Sequence, residues 1–455
     1  MPTVNPESQS RIGFLYESGW EKRVFTDKPY NPKNYIFRGF FMPVYETMNK
    51  NYAASAQAQE DKKCIRRVLK LASKGRGSVH PNPMVGCVIV KNGRAIAEGY
   101  HQYPGGPHAE IVALRKAKDK NISLKNATMY VNLEPCCHHK KKTPPCVPEI
   151  IKSRVKRVVM AMRDPNPQVR GKGIKELQAA GIECIIGMHE QEAKELNKFY
   201  VKWITKGIPY VLMKWAMSLD GKIAARTGDA KWISCPEARE YVHKMRAGVD
   251  AVLVGIGTVL KDNPKLTVRL GEIEGTVPDL WRTNRIFRQY KNPIRVIIDP
   301  GLKISPEAKV IGPEAKTIIF HHRLNIKAKL ELLNNNNCKT VYLQKNKNGT
   351  MDFKQIMRFL GGQNISSVLI EGGGNTNARA LNSGVVDEVF AFISPKIIGG
   401  ENAITPVEGN GISKIGQATR LKDIKIEKIG CDFLLSGKLQ RGNSKGAGIN
   451  QCSQE

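Results

Sequence analysis

Two consecutive α/β domains are predicted by three features of the chain. Between residues 62 and 187, short apolar segments alternate with segments of helical spacing, after an opening hairpin. From Pro209 a second alternation begins, and its strand candidates are apolar on both faces, as in a buried, mostly parallel sheet. Between the two lies Gly207-Ile208-Pro209, a break that neither a helix nor a strand tolerates well. The boundaries this sets are an extension over 1–58, a first domain over 59–206, a second over 207–440 and a polar tail over 441–455.

The first domain opens with KKCIRRVLKLASKG (62–75), apolar at helical spacing and stopped by Gly75. MVGCVIV, KNGR and AIAEGYH (84–101) read as strand, Asn-Gly turn and strand. HAEIVALRKAK is a helix and NATMYVNLEP a strand; PCVPEIIKSR, RVVMAM, KGIKELQAAG and IECIIG continue as helix, strand, helix, strand. One helix, QEAKELNKFYVKWITKG (191–207), closes the unit. The second domain offers the strands PYVLMKWAMS, AVLVGIG, IRVIIDP, TIIFH, TVYLQ, SSVLIEG and EVFAFISP, with helices such as CPEAREYVHKMRAG and DFKQIMRFLGG between them. IKIEKIG and DFLLSGKL form a final hairpin.

The composition is that of an ordinary globular protein, with 41% hydrophobic and 25% charged residues in 455. No apolar run reaches the roughly 18–20 residues that cross a bilayer, so no membrane association is expected. The N-terminal MPTVNPESQSRIGFLYESGWEKR lacks a basic start and an apolar core, and carries Glu7, Glu17 and Glu21. A cytoplasmic location is therefore expected, where ten cysteines favour metal binding or catalysis over disulfides. The net charge of +31 draws anions, whether nucleic acid, anionic lipid or phosphorylated metabolites, but the basic residues are spread along the chain and form no single arm.

The chemistry concentrates in two places in the first domain. His108 and Glu110 stand two apart at a helix start, and LEPCCHHKKKTPPC (133–146) follows the next strand. A His-x-Glu pair followed by Pro-Cys and a further cysteine is the pattern of zinc deaminases, in which the Glu is not a ligand. Three protein ligands leave a position for water, whose proton becomes easier to remove. A neighbouring carboxyl must then carry that proton to the departing amine. Pro135 fixes Cys136 as the first thiolate. The usual two-residue spacing falls on His139, so the next cysteine after the Cys136–Cys137 pair, Cys146, is taken as the second. His108, Cys136 and Cys146 are the expected ligands and Glu110 the expected proton carrier.

In the second domain no G-x-G-x-x-G follows the first strand, so a Rossmann dinucleotide fold is not supported. The best phosphate cradle is IEGGGNTNARAL (370–381), which runs from an apolar strand through three glycines into a helix whose unpaired N–H groups suit an anion. VGIGT (254–258) is a weaker second candidate. Lys214, on the first strand of the domain, would bias a nearby pocket positive.

HPNPMVGCVIV (80–90), EGYHQYPGGPHAE (98–110), VNLEPCCHHKKKTPPC (131–146) and RDPNPQVRGKGIKELQAAGIE (163–183) closely resemble the deaminase half of the bifunctional riboflavin-biosynthesis deaminase/reductases. SLDGKIAARTGDAKWIS (218–234), DNPKLTVR (262–269), IEGGGNTNARAL and VDEVFAFISPKIIGG (386–400) resemble the reductase half. The resemblance covers about residues 60–440, in the right order. It implies a cytidine-deaminase-like three-layer α/β/α domain followed by a dihydrofolate-reductase-like α/β domain. It also implies Zn2+ and NADPH as cofactors and a phosphorylated pyrimidine as substrate. The 2-amino group of 2,5-diamino-6-(5-phosphoribosylamino)pyrimidin-4-one would leave as ammonia. NADPH would then reduce the ribosyl arm of the resulting uracil to a ribityl arm.

Carried over residue by residue, the resemblance matches Asn82, His101, His138 and Lys142 to the deaminase pocket. It matches Ala216, Trp232, Thr258, Asp262 and Gly373, Gly374, Asn375, Thr376, Asn377, Ala378 and Arg379 to NADPH contacts. Ala230, Arg246, Leu266, Arg269 and Glu371 match substrate positions; arginine suits a phosphate because its fork donates two parallel bonds. The stretch between Cys136 and Cys146 is one residue longer than the family's usual spacing, and Cys137 stands where a small residue is usual. A homo-oligomer is expected, and no nucleic-acid partner. Two alternatives are a nucleic-acid zinc deaminase, disfavoured by the second domain, and a protein in which one half alone is active.

Overall fold

The computed structural model describes residues 55–138, 143–270, 291–324, 327–334, 337–346 and 349–440. Helix α1 (Ala56–Ala72) is capped by Ser55, whose side chain accepts from the N–H of Ala58, a contact that stabilises such a helix by about 1 kcal/mol. Strands β1 (Gly86–Lys91) and β2 (Arg94–Tyr100) form the expected hairpin. Then come α2 (Ala109–Asp119), β3 (Thr128–Leu133), α3 (Cys146–Lys152), β4 (Arg157–Met162), α4 (Lys172–Ala179) and β5 (Glu183–Ile186). The sheet order is β2-β1-β3-β4-β5, antiparallel through β3 and parallel from β3 to β5.

Two glycines show how closely the helices sit on this sheet. A side chain on Gly86 would lie 2.4 Å from the Val68 carbonyl oxygen of α1, and one on Gly99 would lie 2.7 Å from the Ala109 carbonyl oxygen of α2. Gly99 pairs with Cys87, the neighbour of Gly86, so the two glycines face opposite sides of the sheet. Helices α1 and α2 therefore cover opposite faces, which gives the expected three layers.

The single closing helix expected over 191–207 is two helices, α5 (Glu190–Leu196) and α6 (Lys198–Lys206). Asn197 breaks it with φ −103° and ψ 21°. Its buried amide accepts from the Met84 N–H at 2.8 Å and donates to the Met84 carbonyl at 3.0 Å. A side chain that pairs both backbone groups of a distant residue outweighs one more turn of continuous helix.

The second domain holds β6 (Tyr210–Ser218), α7 (Pro236–Ala247), β7 (Ala251–Gly255), α8 (Ile256–Asp262), β8 (Ile294–Ile298) and β9 (Thr317–His321). It continues through α9 (Lys327–Asn334), β10 (Cys338–Tyr342), α10 (Phe353–Gly362), β11 (Ser367–Ile370), α11 (Gly374–Asn382), β12 (Glu388–Ser394), β13 (Leu421–Ile429) and β14 (Asp432–Leu439). These nine strands form one sheet, β10-β9-β8-β7-β11-β6-β12-β14-β13, parallel from β10 to β12 and closed by the antiparallel final hairpin. Strand β10 begins two residues before the expected TVYLQ, and α8 extends the Gly-containing end of β7 into a helix. Of the extension expected over 1–58 and the tail expected over 441–455, residues 1–54 and 441–455 lie outside the described residues, and α1 begins at Ala56, inside the span expected for the extension.

The domains meet through specific polar contacts. Trp203 of α6 donates to the Gly361 carbonyl at 2.9 Å, Lys198 pairs with Glu388 at 2.6 Å, and His80 Nδ1 lies 3.2 Å from Ser366 Oγ. Lys202 of α6, with a buried ammonium, pairs with Asp387. Among the described residues no helix is long and apolar enough to cross a membrane.

Candidate active sites

In the first domain, His108 is the residue immediately before α2, with extended backbone (φ −71°, ψ 159°). Its Nδ1 lies 3.4 Å from Cys136 Sγ and 3.3 Å from Cys146 Sγ, and the three donor atoms all fall within 4.8 Å of one another. Cys136 follows the end of β3, and Cys146 is the first residue of α3. The Cys136 carbonyl accepts from the N–H groups of Cys146 (2.9 Å) and Val147 (3.2 Å), which draws the two thiols together across the intervening loop. The turn after β3 is itself anchored by Glu134, whose buried carboxylate accepts from the N–H groups of Asp164 (3.2 Å), Gly171 (3.0 Å) and Ile174 (3.3 Å).

Glu110 is buried in the first turn of α2, and its Oε2 has no hydrogen-bond partner. Burial pushes its carboxyl above the ordinary range, with His108 opposing. A buried acid with a free oxygen beside two thiols and an imidazole is costly unless something occupies the site. One half-buried imidazole and two buried thiols, convergent, fit a zinc ion, whose preferred donors are nitrogen and sulfur.

The surrounding residues are partly those expected. Asn82 Nδ2 is 3.1 Å from His101 Nε2, and His101 Nδ1 is 3.0 Å from the Pro107 carbonyl. That carbonyl requires a proton on Nδ1, which leaves Nε2 to accept from Asn82. The His101 ring stands edge-on to the His108 ring at 5.4 Å. His138 is half-buried, while Lys142 and His139 lie outside the described residues. Cys137 is buried but outside the converging set; burial first, and then Glu176, pushes its thiol up. Thr143, which no sequence motif singles out, places Oγ1 3.1 Å from His108 Nε2.

The second constellation lies where parallel strands of the large sheet end. In such sheets ligands settle outside the carboxyl ends of the strands. Strands β7 and β11 are neighbours; β7 runs directly into α8, and β11 reaches α11 through the turn at 371–373. Space between these turns is tight: a side chain on Gly255 would lie 2.4 Å from Thr376 Oγ1. Thr258 stands beside Gly373 at the same edge. Gly374 opens α11; Asn375 and Arg379 are exposed on it. Asn377 is instead fully buried and donates to the Pro406 carbonyl at 2.9 Å, which makes it a tie to the neighbouring loop; Ala378 is buried beside it.

Arg246 of α7 reaches Glu371 at the end of β11 through two bonds, Nε–Oε1 at 2.6 Å and Nη2–Oε2 at 3.0 Å, and a third goes to the Thr267 carbonyl. Arg269 donates to Thr267 Oγ1 at 2.9 Å, and its N–H donates to His243 Nδ1 at 3.1 Å. Burial and then the charges of Arg246 and Arg269 push the His243 imidazole down to about 4. Burial works against the Glu371 carboxylate, but Arg246 and then Lys214 and His243 hold it below its usual range. Lys214, expected to make the pocket positive, is pulled down by burial, with Glu371 opposing and Arg246 adding to the fall. Sequence reasoning did not single out His243; a histidine on a helix gives no signal of its partner.

The other expected residues lie on β6 and in the adjoining loops. Ala216 is half-buried on β6; Trp232 is 63% exposed, with the Arg239 guanidinium 4.5 Å from its ring. Ala230 is half-buried in the same loop, and Leu266 is buried with φ +54°. Asp262 ends α8 and is exposed.

Comparisons with known proteins agree with this division. Residues 58–162 match the cytidine and deoxycytidylate deaminase zinc-binding region, and residues 209–435 match the RibD C-terminal domain. The riboflavin biosynthesis protein RibD of Aquifex aeolicus is 40% identical over 376 residues, covering 82% of this chain and 97% of that protein. RibD of Escherichia coli strain K12 is 39% identical over 376 residues, covering 83% and 98%. A crystal structure of a diaminohydroxyphosphoribosylaminopyrimidine deaminase/5-amino-6-(5-phosphoribosylamino)uracil reductase from Thermotoga maritima superposes with a TM-score of 0.72 at 37% identity, over 84% of this chain and all (100%) of that one. Acinetobacter baumannii RibD gives 0.73 at 34% identity, over 84% of this chain and 99% of that one. With both domains matched in order and nearly the whole length of each relative covered, the chain belongs to the RibD family of riboflavin biosynthesis proteins, with a zinc-binding deaminase half and a reductase half.

Proposed function

We propose that the chain carries out two successive steps on one phosphorylated pyrimidine. The first is hydrolytic removal of the 2-amino group from 2,5-diamino-6-(5-phosphoribosylamino)pyrimidin-4-one. The second is NADPH-dependent reduction of the ribosyl arm to give 5-amino-6-(5-phosphoribitylamino)uracil. The observation that carries the reading is the convergence of His108, Cys136 and Cys146 beside Glu110, whose Oε2 has no hydrogen-bond partner, on a chain that also holds a reductase domain. The domain division that goes with it assigns residues 59–206 to deamination and 207–440 to reduction.

His108 Nδ1 and the sulfurs of Cys136 and Cys146 would hold Zn2+, which when bound supplies Lewis-acid activation of water. Glu110 takes the proton from that water at its free oxygen and delivers it to the departing amine as ammonia. Asn82 and His101 orient the pyrimidine, and His138 and Lys142 are the further residues that the family resemblance matches to the pocket. Burial of the site excludes bulk water, which strengthens every polar contact the substrate makes.

In the reductase half, the turn over Gly373–Arg379 receives the NADPH phosphates, with Ala216, Trp232, Thr258 and Asp262 along the same edge. Asn377 contributes by holding this turn against Pro406. NADPH supplies the hydride; the protein aligns it with the opened ribose. Arg269 binds the substrate phosphate, while Arg246 and Glu371 form a paired wall, with Ala230 and Leu266 shaping the cavity. The test is product identification: with the diamino substrate and no NADPH, the deaminated uracil accumulates with its ribosyl arm intact, and added NADPH converts it to the ribityl product. A ribityl product that retains the 2-amino group would overturn the order.

A further inference from the structure

We propose a second thiophilic metal site in the reductase half, formed by Cys235, Cys431 and Asp432. These residues come from two distant segments. Cys235 immediately precedes α7, and Cys431 and Asp432 lie at the turn between β13 and β14. The two sulfurs and a carboxylate oxygen all fall within 4.8 Å of one another, as the donors of the deaminase triad do.

The arrangement is already held in place by other contacts. Asp432 is fully buried, and its Oδ2 accepts from the Cys235 N–H at 2.8 Å, so the turn is latched to the start of the helix. Its Oδ1 lies 3.6 Å from Cys431 Sγ, and the Cys235 sulfur lies 3.2 Å from the Ile429 carbonyl oxygen. Sulfur, sulfur and carboxylate oxygen thus face one small volume, with a carbonyl oxygen at its edge. A zinc ion about 2.3 Å from each sulfur and about 2.1 Å from an oxygen requires donors roughly 3.5–4 Å apart.

The Cys235 N–H engages Asp432 Oδ2, which leaves Oδ1 facing the Cys431 sulfur. Cys431 is exposed, so the site opens to solvent and an ion can enter. Zn2+ or Cd2+ bound there would clamp the N-terminus of α7, the helix that carries His243 and Arg246, to the final hairpin. The Trp232 loop is three residues upstream of Cys235, so the clamp would also stiffen that part of the expected NADPH edge. Neither Cys235 nor Cys431 belongs to either reaction centre.

The test is metal counting on the reduced, full-length protein. Wild type, Cys431→Ser, Cys146→Ser and the double variant are each equilibrated with Zn2+, freed of excess ion by gel filtration and assayed for bound zinc. The expected contents are about two, one, one and zero ions per chain. Cd2+ added to Cys146→Ser should give an ultraviolet thiolate-to-metal charge-transfer band that is lost in the double variant. Deamination by Cys431→Ser should match wild type, which separates this site from the first. If Cys146→Ser alone kept the full content, the deaminase ligand set would be wrong and not this one. Equal zinc in wild type and Cys431→Ser would overturn the proposal, as would a Cys235–Cys431 disulfide that forms in preference to metal binding when reductant is removed.

Discussion

The imidazole of His108 and the thiol of Cys146, 38 positions apart in the chain, approach to 3.3 Å between Nδ1 and Sγ. Cys136 completes the set, and Cys137, adjacent in sequence, does not join it. Cys146→Ser should therefore lower zinc in the deaminase half and abolish ammonia release, while Cys137→Ser should leave both largely unchanged. Zinc analysis of the two variants checks this. Loss of that zinc in Cys137→Ser with retention in Cys146→Ser would reverse the ligand assignment.

The proposed role of Glu110 is to move a proton, not to bind the metal. Glu110→Gln preserves shape and hydrogen-bonding capacity but cannot take up the water's proton. The fold and the zinc content should be retained while deamination falls by about 10²–10⁴-fold. Steady-state ammonia release at saturating substrate reads the loss; a near-normal rate would remove Glu110 from the role.

Arg269 is assigned to the substrate phosphate. Arg269→Ala should raise KM for the ribosyl substrate by about 10–100-fold, as expected for loss of a charge-assisted bond worth about 1.5–3 kcal/mol, with a much smaller effect on KM for NADPH. Equal increases in both constants would argue for a general disturbance of the cleft.

The Arg246–Glu371 pair has two well-formed bonds and little exposure on either side. Removing one partner strands the other charge in a low-dielectric place, so Arg246→Ala should destabilise the protein by about 3–5 kcal/mol. Replacing both residues should cost less than the sum of the single changes. A double-mutant cycle in chemical denaturation measures that coupling.

His243 gives a pH dependence with a definite sign. Its imidazole titrates near about 4 in the folded protein, below the usual value of 6.5, because of burial and the neighbouring arginines. In the window between these values the unfolded chain binds the extra proton and the folded one does not. This contribution to stability is present above the upper value and is lost as the pH falls through the window toward about 4. His243→Asn should flatten that part of the stability-versus-pH curve. A slope identical to wild type would exclude His243 as its source.

The elements were largely legible because apolar period and chain breakers are local. Gly75, the Asn92-Gly93 turn and Pro209 all mark real boundaries. The break at Asn197 was not legible, since it depends on Met84, more than a hundred positions away. The order of the large sheet was hidden for the same reason: β11 inserts between β6 and β7, a pairing that no local pattern announces. In the deaminase site, Pro135 and the next cysteine after the Cys136–Cys137 pair pointed to the two thiols that converge on His108, but the Thr143 contact depends on the fold around His108. In the reductase site, the three-glycine turn was visible as a motif, whereas the inward role of Asn377 was not, because a sequence does not reveal which side of a short helix meets the Thr405–Pro406 loop.

The most direct test of two separate sites acting in order uses Glu110→Gln with both substrates in turn. Given the diamino compound and NADPH, the variant should release ammonia and oxidise NADPH about 10²–10⁴-fold more slowly than wild type. Given the deaminated uracil prepared with wild-type protein, it should oxidise NADPH at the wild-type rate. NADPH oxidation with the diamino compound at the wild-type rate, or failure to reduce the deaminated one by a folded variant, would contradict the account.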